Sequence, residues 1–406
     1  MGGPAVEHGY YRFTDVFFEW VKMIPNEEDK GPLRAIISHS ALVDPGHPLR
    51  KPGAEGIELY IATFLSGESR PVFSSAQLEF IQQWLYAMGL TKGPIPLPGI
   101  DWLIRREEMA SLSPELFNDA AHLKKTIKTI EKNNKRLKGA GSSLITARRL
   151  KFERVRELWA AKTGSWLAID MEAWEYDHKL VTEFGWSRVT WRDGEAVEDN
   201  AHWIVKEYRD SKVNGTYVRD RKFWYDYGDS ELVPKRELKD RVAALIHESA
   251  ANGPLYLVFH DASQDVKYLQ SSAIEAPLGN LSSVLPDTTP TEGMFQVDTA
   301  ELFSALTGDS NFRALERVCT LLKVGQLEPR MNLDNLHNAG NDAHATILCL
   351  KSMASGDSID TQREKRWPGQ TSATENKTIF SPYEDDVDED EPEDIMREAA
   401  EAYSAL

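Results

Sequence analysis

The sequence predicts an α/β protein in which a mixed β-sheet is flanked by helices, and this class rests on three observations. Three apolar, strand-like runs, SWLAIDMEAWE, LVTEFGWSRVTW and AHWIVKEY, follow one another with polar turns between them. After them, segments with helical periodicity alternate with two short apolar runs, PLYLVFHD and FQVDT. The length of 406 residues exceeds one ordinary domain, so we expect further regions outside this sheet.

Residues 1–110 are expected to form a mainly helical region whose fold the sequence does not define. Two stretches, RFTDVFFEWVKM and SSAQLEFIQQWLYAMG, have helical periodicity. The second has serine at its start and Gly89 at its end, as capped helices do. Between them, GIELYIATFL fits either a strand or a buried helix.

Residues 111–163 predict a basic helical hairpin. The tripeptide Ser-Pro-Glu from Ser113 suits a helix start, so a helix is expected from there to about Leu137. A Gly-Ala-Gly-Ser segment then breaks the pattern, and a second helix is expected through ITARRLKFERVRELWAAK. From Lys124 to Arg156 there are twelve Lys or Arg against two Glu. This charge fits either a solvated helix face or a contact with nucleic acid.

The sequence predicts a disordered acidic tail at residues 355–406. From Ser381 onward the chain has eleven Asp or Glu against one Arg, which makes −10 of the net charge of −17. The rest is only mildly acidic, so the net charge does not exclude a nucleic-acid partner. The final segment, PEDIMREAAEAYSAL, fits either a helix on a protein partner or an unbound solubilising tail.

The composition predicts a soluble protein of the cytoplasm and/or nucleus, with no membrane partner. No apolar run approaches the ~20 residues needed to span a bilayer, and the N-terminus lacks the features of a secretion signal. Two cysteines, Cys319 and Cys349, are too few for a disulfide framework or a cysteine-based zinc site. A reducing compartment is therefore expected.

The first candidate site motif is Asp170-Met-Glu172, which ends an apolar run. Side chains alternate along a strand, so both carboxylates are expected on one face, where they can share a hard cation such as Mg²⁺ or Mn²⁺. The alternative is a surface strand with two solvated acids. Hydrolysis of a phosphodiester with two metal ions requires several such carboxylates to converge.

Two further motifs place acids at the starts of helices. Asp265 follows the buried run PLYLVFH, where its carboxylate can reach across the strand ends or merely cap the helix. His337 lies in a loop five residues before Asp342, at the start of a late helix. An imidazole titrates near neutrality, so His337 suits the role of a general base beside a metal-binding aspartate.

In this order and spacing, the three motifs resemble the DEDDh branch of the DnaQ-like exonucleases, over about residues 160–355. The element order βββαβαβα is that of an RNase H-like core, expected at residues 164–354. The resemblance implies two divalent ions, Mg²⁺ or Mn²⁺. It implies that Asp170 bridges both, Glu172 and Asp342 complete the first site, Asp265 supports the second, and His337 is the general base. The stretch HWIVKEYRDSKVNGTYVRDRKFWYDYGDSELV is similar to fungal members, so a fungal source is expected.

The second motif departs from the family pattern. Many relatives have His-Asn-x-x-Phe-Asp where this chain has HDASQD from His260 to Asp265. Asp261 is therefore an alternative or assisting ligand, and the packing around the strand end is expected to differ. Asp298 is expected to have a structural role only. His344 is interpreted as a local hydrogen-bonding residue and not as a transition-metal ligand.

The resemblance implies a 3′-to-5′ exonuclease that releases nucleoside 5′-monophosphates from single-stranded nucleic acid. We further expect RNA to be favoured over DNA. One alternative is an RNase H-like interaction module of an RNA-processing or gene-silencing complex, with little or no activity. Another is an RNase H-like endonuclease, although the spacing of His337 and Asp342 favours the exonuclease. Five tryptophans are expected to pack in the core, with base stacking as the alternative: Trp174, Trp186, Trp191, Trp203 and Trp224.

Overall fold

The computed structural model describes residues 8–139, 143–279, 281–370 and 377–380. The chain forms two compact units. The first consists of Met1–Ala147 and Leu278–Asp287, and the second of Arg148–Pro277 and Thr288–Leu406. The acidic segment from Ser381 onward, with its predicted partner-binding helix, lies outside the described residues.

The strands are numbered in chain order: β1 Tyr10–Arg12, β2 Ile57–Phe64, β3 Ser69–Ser74, β4 Met109–Phe117, β5 Ser165–Trp174, β6 Asp177–Arg192, β7 Glu195–Val205, β8 Glu231–Val233, β9 Leu255–Phe259, β10 Leu281–Ser282 and β11 Met294–Asp298. The α-helices are α1 Val21–Met23, α2 Glu27–Ile36, α3 His39–Leu42, α4 Ser75–Ala87, α5 Ala120–Gly139, α6 Leu144–Ala160, α7 Lys235–Ala250, α8 Ala262–Gln270, α9 Thr299–Thr307, α10 Leu315–Leu322, α11 Ala339–Ala354 and α12 Ile359–Arg366. In the described part of the chain, no helix combines the length and apolar character that crossing a membrane requires.

The first unit is built on a four-stranded antiparallel sheet in the order β1-β3-β2-β4. The ambiguous segment GIELYIATFL forms the strand β2, whose inward side chains Ile57 and Leu59 are fully buried. The expected helices are also present. The chain forms a π-helix at Asp15–Trp20 that continues into α1, and α4 begins with a capping box made by Ser74 and Gln77.

The prediction of a helix that begins at Ser113 is wrong, because residues 109–117 form β4. Pro114 pairs with Tyr60 of β2, and the buried carboxylate of Glu115 accepts hydrogen bonds from the backbone and side chain of Ser283. The helix α5 starts only at Ala120, where the side chain of Asp119 accepts the backbone N–H of His122 at 3.0 Å. Tertiary pairing therefore outweighs the local start signal at Ser113.

The sheet of the second unit has mixed strand directions. Its strands lie in the order β11-β9-β5-β6-β7-β8. β9 is parallel to β11 and β5, whereas β6 is antiparallel to β5 and β7. The predicted mixed sheet flanked by helices is confirmed, and the short strand β8 adds to the expected order. All five residues of β9 are buried, as in a strand covered on both faces.

The two units divide within α6, at Ala147/Arg148, and not at the predicted hairpin boundary near residue 163. The reason is the apolar side of α6, where Phe152, Val155 and Leu158 are buried. Trp159 meets the ring of Trp166 edge to face at 5.1 Å, which ties the helix to β5. The second helix of the predicted hairpin thus contributes to the core of the second unit.

The cations of α6 are engaged in contacts within the second unit. Their partners are Ser304 for Arg148, Asp360 for Arg149, Glu301 for Lys151, Glu157 for Arg154 and Glu153 for Arg156. For this half of the basic segment, the contacts support a structural role and not a nucleic-acid contact.

The chain remains folded beyond Ser355, where disorder was predicted, at least to residue 370. In α12, the buried guanidinium of Arg363 donates to the carbonyl oxygens of Leu306 and Ala305 at 2.6 and 3.1 Å. The following Trp367 packs edge to face against Phe303. The polar composition of this segment did not indicate a folded helix. The helix is held against α9 by one buried arginine and one tryptophan.

Candidate metal centre

Three carboxylates converge on one face of the second sheet, at the central strand β5. Asp170 and Glu172 lie on the same face of β5, and Asp342 lies in the first turn of α11. One oxygen of each lies within 4.8 Å of the others, with Asp342 buried and the two strand residues partly exposed. The three residues predicted to share a metal site are therefore brought together.

The approach of α11 to β6 makes this convergence possible. Gly185 of β6 pairs with Asp170, and a Cβ atom at Gly185 would lie 1.9 Å from the carbonyl oxygen of Ala339. The first turn of α11 thus rests directly on the backbone of β6. At Gly340 a Cβ atom would meet the Cβ of His202 at 2.6 Å. Because Gly185 and Gly340 have no side chains, α11 comes close enough to the sheet for Asp342 to reach the strand that carries Asp170.

Asp265 lies in the first turn of α8, buried near the three converging carboxylates but outside their group. It accepts a hydrogen bond from the backbone N–H of Met171, between Asp170 and Glu172. Asp261, the alternative ligand, is exposed and precedes α8 as its N-cap in a left-handed conformation, with φ of +60°. The position of Asp265 agrees better with a ligand role than that of Asp261.

His337 stands beside the acids in a strained backbone conformation, with φ of +64°. Its backbone N–H donates to Oδ2 of Asp342 at 3.1 Å, while its side chain is exposed. Although the ring is open to solvent, desolvation by the surrounding protein lowers the pKa of His337, and the charges of Arg219 and Arg221 lower it further. The imidazole is therefore held mostly neutral near pH 7.

Burial and mutual repulsion raise the pKa of the three converging carboxylates and of Asp265. Burial raises the pKa of Asp170 to about 7, and the charge of Glu183 adds to this effect. Burial is also the main cause for three other acids, whose pKa values rise well above the ordinary range with the charge of Asp170 contributing: Glu172, Asp265 and Asp342. So much negative charge requires a compensating cation when these groups are ionised.

The cluster fits a hard divalent cation. Oδ1 of Asp342 is buried and has no hydrogen-bond partner among the described residues, although Oδ2 is satisfied by His337. Unsatisfied buried acceptors are rare in proteins and costly, and a cation supplies what this oxygen lacks. An all-carboxylate donor set suits Mg²⁺ or Mn²⁺ better than softer transition metals.

A buried acid that the sequence analysis missed lies next to this cluster. Glu183 of β6 pairs with Glu172 across the sheet and is only 3% exposed. Its Oε2 lies 2.9 Å from Nε2 of His202, whose Nδ1 lies 2.8 Å from the hydroxyl of Ser230. In the sequence, Glu183 could have been noticed as an acid inside the apolar run LVTEFGW, but its partner His202 lies on a different strand.

Replacing His202 by alanine is expected to lower the free energy of unfolding by about 3 kcal/mol, because Glu183 is then left buried without its partner. Urea unfolding of the metal-free protein measures this. Adding Glu183→Gln to His202→Ala removes the buried acid and should recover part of the loss. Equal stability of the single variant and the wild type would contradict this role of the pair.

The remaining polar candidates have structural partners. Asp298 accepts backbone N–H groups from Asp261, Ala262 and Ala300, so it joins the starts of α8 and α9, as expected. Nδ1 of His344 lies 3.1 Å from the hydroxyl of Ser187, in agreement with a local hydrogen-bonding role. Both ring nitrogens of His260 are likewise engaged, with Thr299 and with the carbonyl of Arg313.

The five tryptophans differ in their surroundings. Trp203 is buried and stacks on Phe184 at 5.3 Å, whereas Trp174, Trp186 and Trp191 are partly buried. Trp224 is 56% exposed, so core packing does not account for it.

Comparison with known proteins agrees with this fold. A family profile of the DEDDh group, described as DNA polymerase III subunit epsilon-like, C-terminal domain, matches residues 165–353. The chain is 30% identical over 190 residues to a Schizosaccharomyces pombe protein named Uncharacterized nucleolar protein C2C4.08, covering 47% of this chain and 68% of that one. The second unit is thus an exonuclease-like domain of the RNase H-like type. The chain belongs to the DEDDh exonuclease family.

Two similar proteins come from Saccharomyces cerevisiae. One, named Uncharacterized protein YDR514C, is 26% identical over 212 residues, which cover 48% of this chain and 42% of the relative. The other, named Good for full DBP5 activity protein 2, is 25% identical over 214 residues, which cover 48% and 36%. The chain therefore spans well under half of the length of these two relatives.

Proposed function

We propose that the second unit is a metal-dependent 3′-to-5′ exonuclease that acts on single-stranded nucleic acid, with RNA favoured over DNA. The observation that carries this proposal is that one carboxylate oxygen each of Asp170, Glu172 and Asp342 lies within 4.8 Å of the others. The buried Oδ1 of Asp342, which has no hydrogen-bond partner among the described residues, adds to it. These three residues would hold the first divalent ion, with Asp265 and Asp170 supporting a second. When bound, the ions neutralise charge on the phosphate and acidify the attacking water.

In this proposal His337 accepts the proton of the attacking water at a ring nitrogen. Its hydrogen bond to Asp342 places the residue next to the acids, and its lowered pKa keeps the imidazole neutral and ready to accept a proton. Arg219 and Arg221 lie near the ring and would attract the phosphate backbone toward it. Hydrolysis would release a nucleoside 5′-monophosphate.

Replacing His337 by alanine is expected to lower kcat about a hundredfold to ten-thousandfold with little change in KM, because a general base acts only in the transition state. In the wild type at saturating metal, kcat/KM should rise with pH until His337 is deprotonated, with a midpoint below its ordinary pKa of 6.5. The variant should lack this rise. A variant that keeps both the rate and the pH profile would exclude His337 as the base.

The exonuclease is distinguished from an endonuclease by comparing linear and circular single strands of one sequence with Mn²⁺. We expect the linear strand to be shortened and the circle to stay intact. Cutting of the circle would instead support the endonuclease.

A second candidate is an interaction module with little activity, since one relative's name connects that protein with full DBP5 activity. A folded, metal-bound protein that cuts neither linear nor circular strands would favour this candidate. The nucleolar relative supports a nuclear location.

A further inference from the structure

The segment between β7 and β8 is fixed to the end of β5 that carries Asp170 and Glu172. The carboxylate of Glu175 is buried, and it accepts backbone N–H groups from four consecutive residues, 215 to 218. Burial alone would raise the pKa of Glu175, but these amides together lower it. Asn214 donates to the carbonyl of Ala173 at 2.9 Å and accepts from the backbone of Glu175 at 3.0 Å. Residues 214–218 of the segment are thus hydrogen-bonded to the end of β5, next to the metal centre.

The other side of the segment is fixed to the start of α11. Asn338 donates to the carbonyl of Arg221 at 3.0 Å, and Asn341 donates to the carbonyl of Trp224 at 2.8 Å. The side chain of Asn341 also accepts the backbone N–H of Asp226 at 3.0 Å. Both asparagines lie between His337 and Asp342 in sequence. The backbone of Arg221 and Trp224 therefore has a defined position next to the catalytic candidates.

This fixed segment exposes two large aromatic side chains. Phe223 is 57% and Trp224 is 56% exposed, although exposing such rings gives up the free energy of their burial. The guanidinium of Arg209 lies 5.4 Å from the ring centroid of Phe223, and that of Arg221 lies 5.8 Å from that of Trp224. Exposed rings with neighbouring guanidinium groups are typical of surfaces on which bases stack.

The part of the segment that carries both rings is positively charged within an acidic chain, whereas the whole segment, residues 206–230, has six Lys or Arg against five Asp or Glu. Residues 209–224 contain five Lys or Arg against two Asp, a net charge of +3, whereas the whole chain carries −17. The carbonyl of Arg221 is held by Asn338, the neighbour of His337 in sequence, and the buried Nε of Arg221 has no hydrogen-bond partner among the described residues. This arginine therefore connects the exposed ring of Trp224 with the general-base candidate.

We infer that Phe223 and Trp224, with Arg209 and Arg221, form a stacking surface for unpaired bases of the nucleic-acid strand whose end enters the metal centre. The inference rests on the proposed nuclease function and assigns its preference for single strands to named residues. In a duplex every base face except that of the terminal pair is covered by a neighbour, whereas an unpaired end offers successive base faces to both rings. The positive charge favours a polyanion over an apolar protein partner.

The test measures binding of a fluorescent single strand by anisotropy, in full-length proteins that all carry Asp170→Asn so that cleavage is slow while Mg²⁺ is present. Adding Trp224→Ala is expected to raise Kd about fivefold to a hundredfold, as the loss of base stacking does. Adding Trp224→Phe should restore most of the affinity. Adding Tyr86→Ala, which removes a ring of similar exposure (48%) in the first unit, should leave Kd unchanged.

A nucleic-acid strand that lacks the bases at its last two 3′ positions distinguishes a loss of base stacking from other effects of the Trp224→Ala substitution. Its Kd should be equally weak with and without Trp224→Ala. An unchanged Kd for the intact strand, or an equal loss for the base-free strand, would overturn the stacking surface. If the intact strand binds as expected but the protein without Asp170→Asn cuts nothing, the proposed nuclease function fails while the stacking surface stands.

Discussion

Replacing Asp170 by asparagine is expected to lower metal-dependent cleavage about a thousandfold or more while the protein remains folded. Asp170 is one of the three carboxylates that converge within 4.8 Å, and its charge raises the pKa of Glu172, Asp265 and Asp342. An amide keeps the shape of the side chain but loses the negative charge that a metal ion requires. Charge stabilisation by a metal ion is worth several kcal/mol, and each 1.4 kcal/mol is a factor of ten in rate.

The same substitution should stabilise the metal-free protein by about 2 to 4 kcal/mol at pH 8. The pKa of Asp170 is raised on folding from 3.8 to about 7, so the folded state binds its proton more tightly than the unfolded state does. Stability is therefore lost as pH rises from about 4 to above 7, where the ionised group opposes folding. Urea unfolding in EDTA at pH 5 and pH 8 measures the gain, which should be larger at pH 8.

Asp261→Asn is the matched control for both experiments, because it makes the same change at an exposed acid of the second motif. We expect its activity to stay within a few-fold of the wild type. Loss of activity in Asp261→Asn but not in Asp265→Asn would reassign the ligand of the second motif. A fully active Asp170→Asn protein would exclude the cluster as the catalytic centre.

Replacing Gly185 by alanine is expected to cost about 3 kcal/mol of stability and about a hundredfold in activity. The new Cβ atom would lie 1.9 Å from the carbonyl oxygen of Ala339, so α11 must move away from β6. Asp342 and His337 would move with it, and a displacement of about 1 Å between catalytic groups costs about a hundredfold in rate. Thermal unfolding and initial cleavage rates measure the two effects.

Gly325→Ala is the matched control, since no atom lies within 4 Å of a Cβ atom built there in the same unit. It should leave stability and activity nearly unchanged. If Gly185→Ala behaves like this control, α11 is not held by close contact with β6. If it lowers stability but leaves kcat unchanged, the position of Asp342 does not depend on that contact.

The sequence predicted the metal centre more completely than its surroundings. Asp170 and Glu172 are two residues apart on one strand, so the period of a strand alone places them on one face. Asp342 was found because it lies at the start of a helix, five residues after His337. In contrast, Glu183 and His202 meet only through the register of β6 and β7, and no local pattern encodes this register.

Errors of the sequence analysis arose where tertiary contacts outweighed local signals. Ser113 begins a plausible helix, but its segment pairs with β2 as part of a sheet. The polar residues after Ser355 suggested disorder, but Arg363 and Trp367 are buried against α9. The position of Trp224 was open to two interpretations, because a tryptophan in a run such as RKFWYDY fits both the core and the surface.

The most direct test of the central claim is the product pattern from a 5′-labelled single strand incubated with the purified wild-type protein and Mn²⁺, Mg²⁺ or EDTA. Cleavage at a metal centre built on Asp170, Glu172 and Asp342 predicts a ladder of labelled products that shorten progressively from the 3′ end. The ladder should appear with Mn²⁺ or Mg²⁺, disappear in EDTA, and be stronger for RNA than for DNA. Cleavage that persists in EDTA, or no cleavage by protein shown to be folded and metal-bound, would contradict the account.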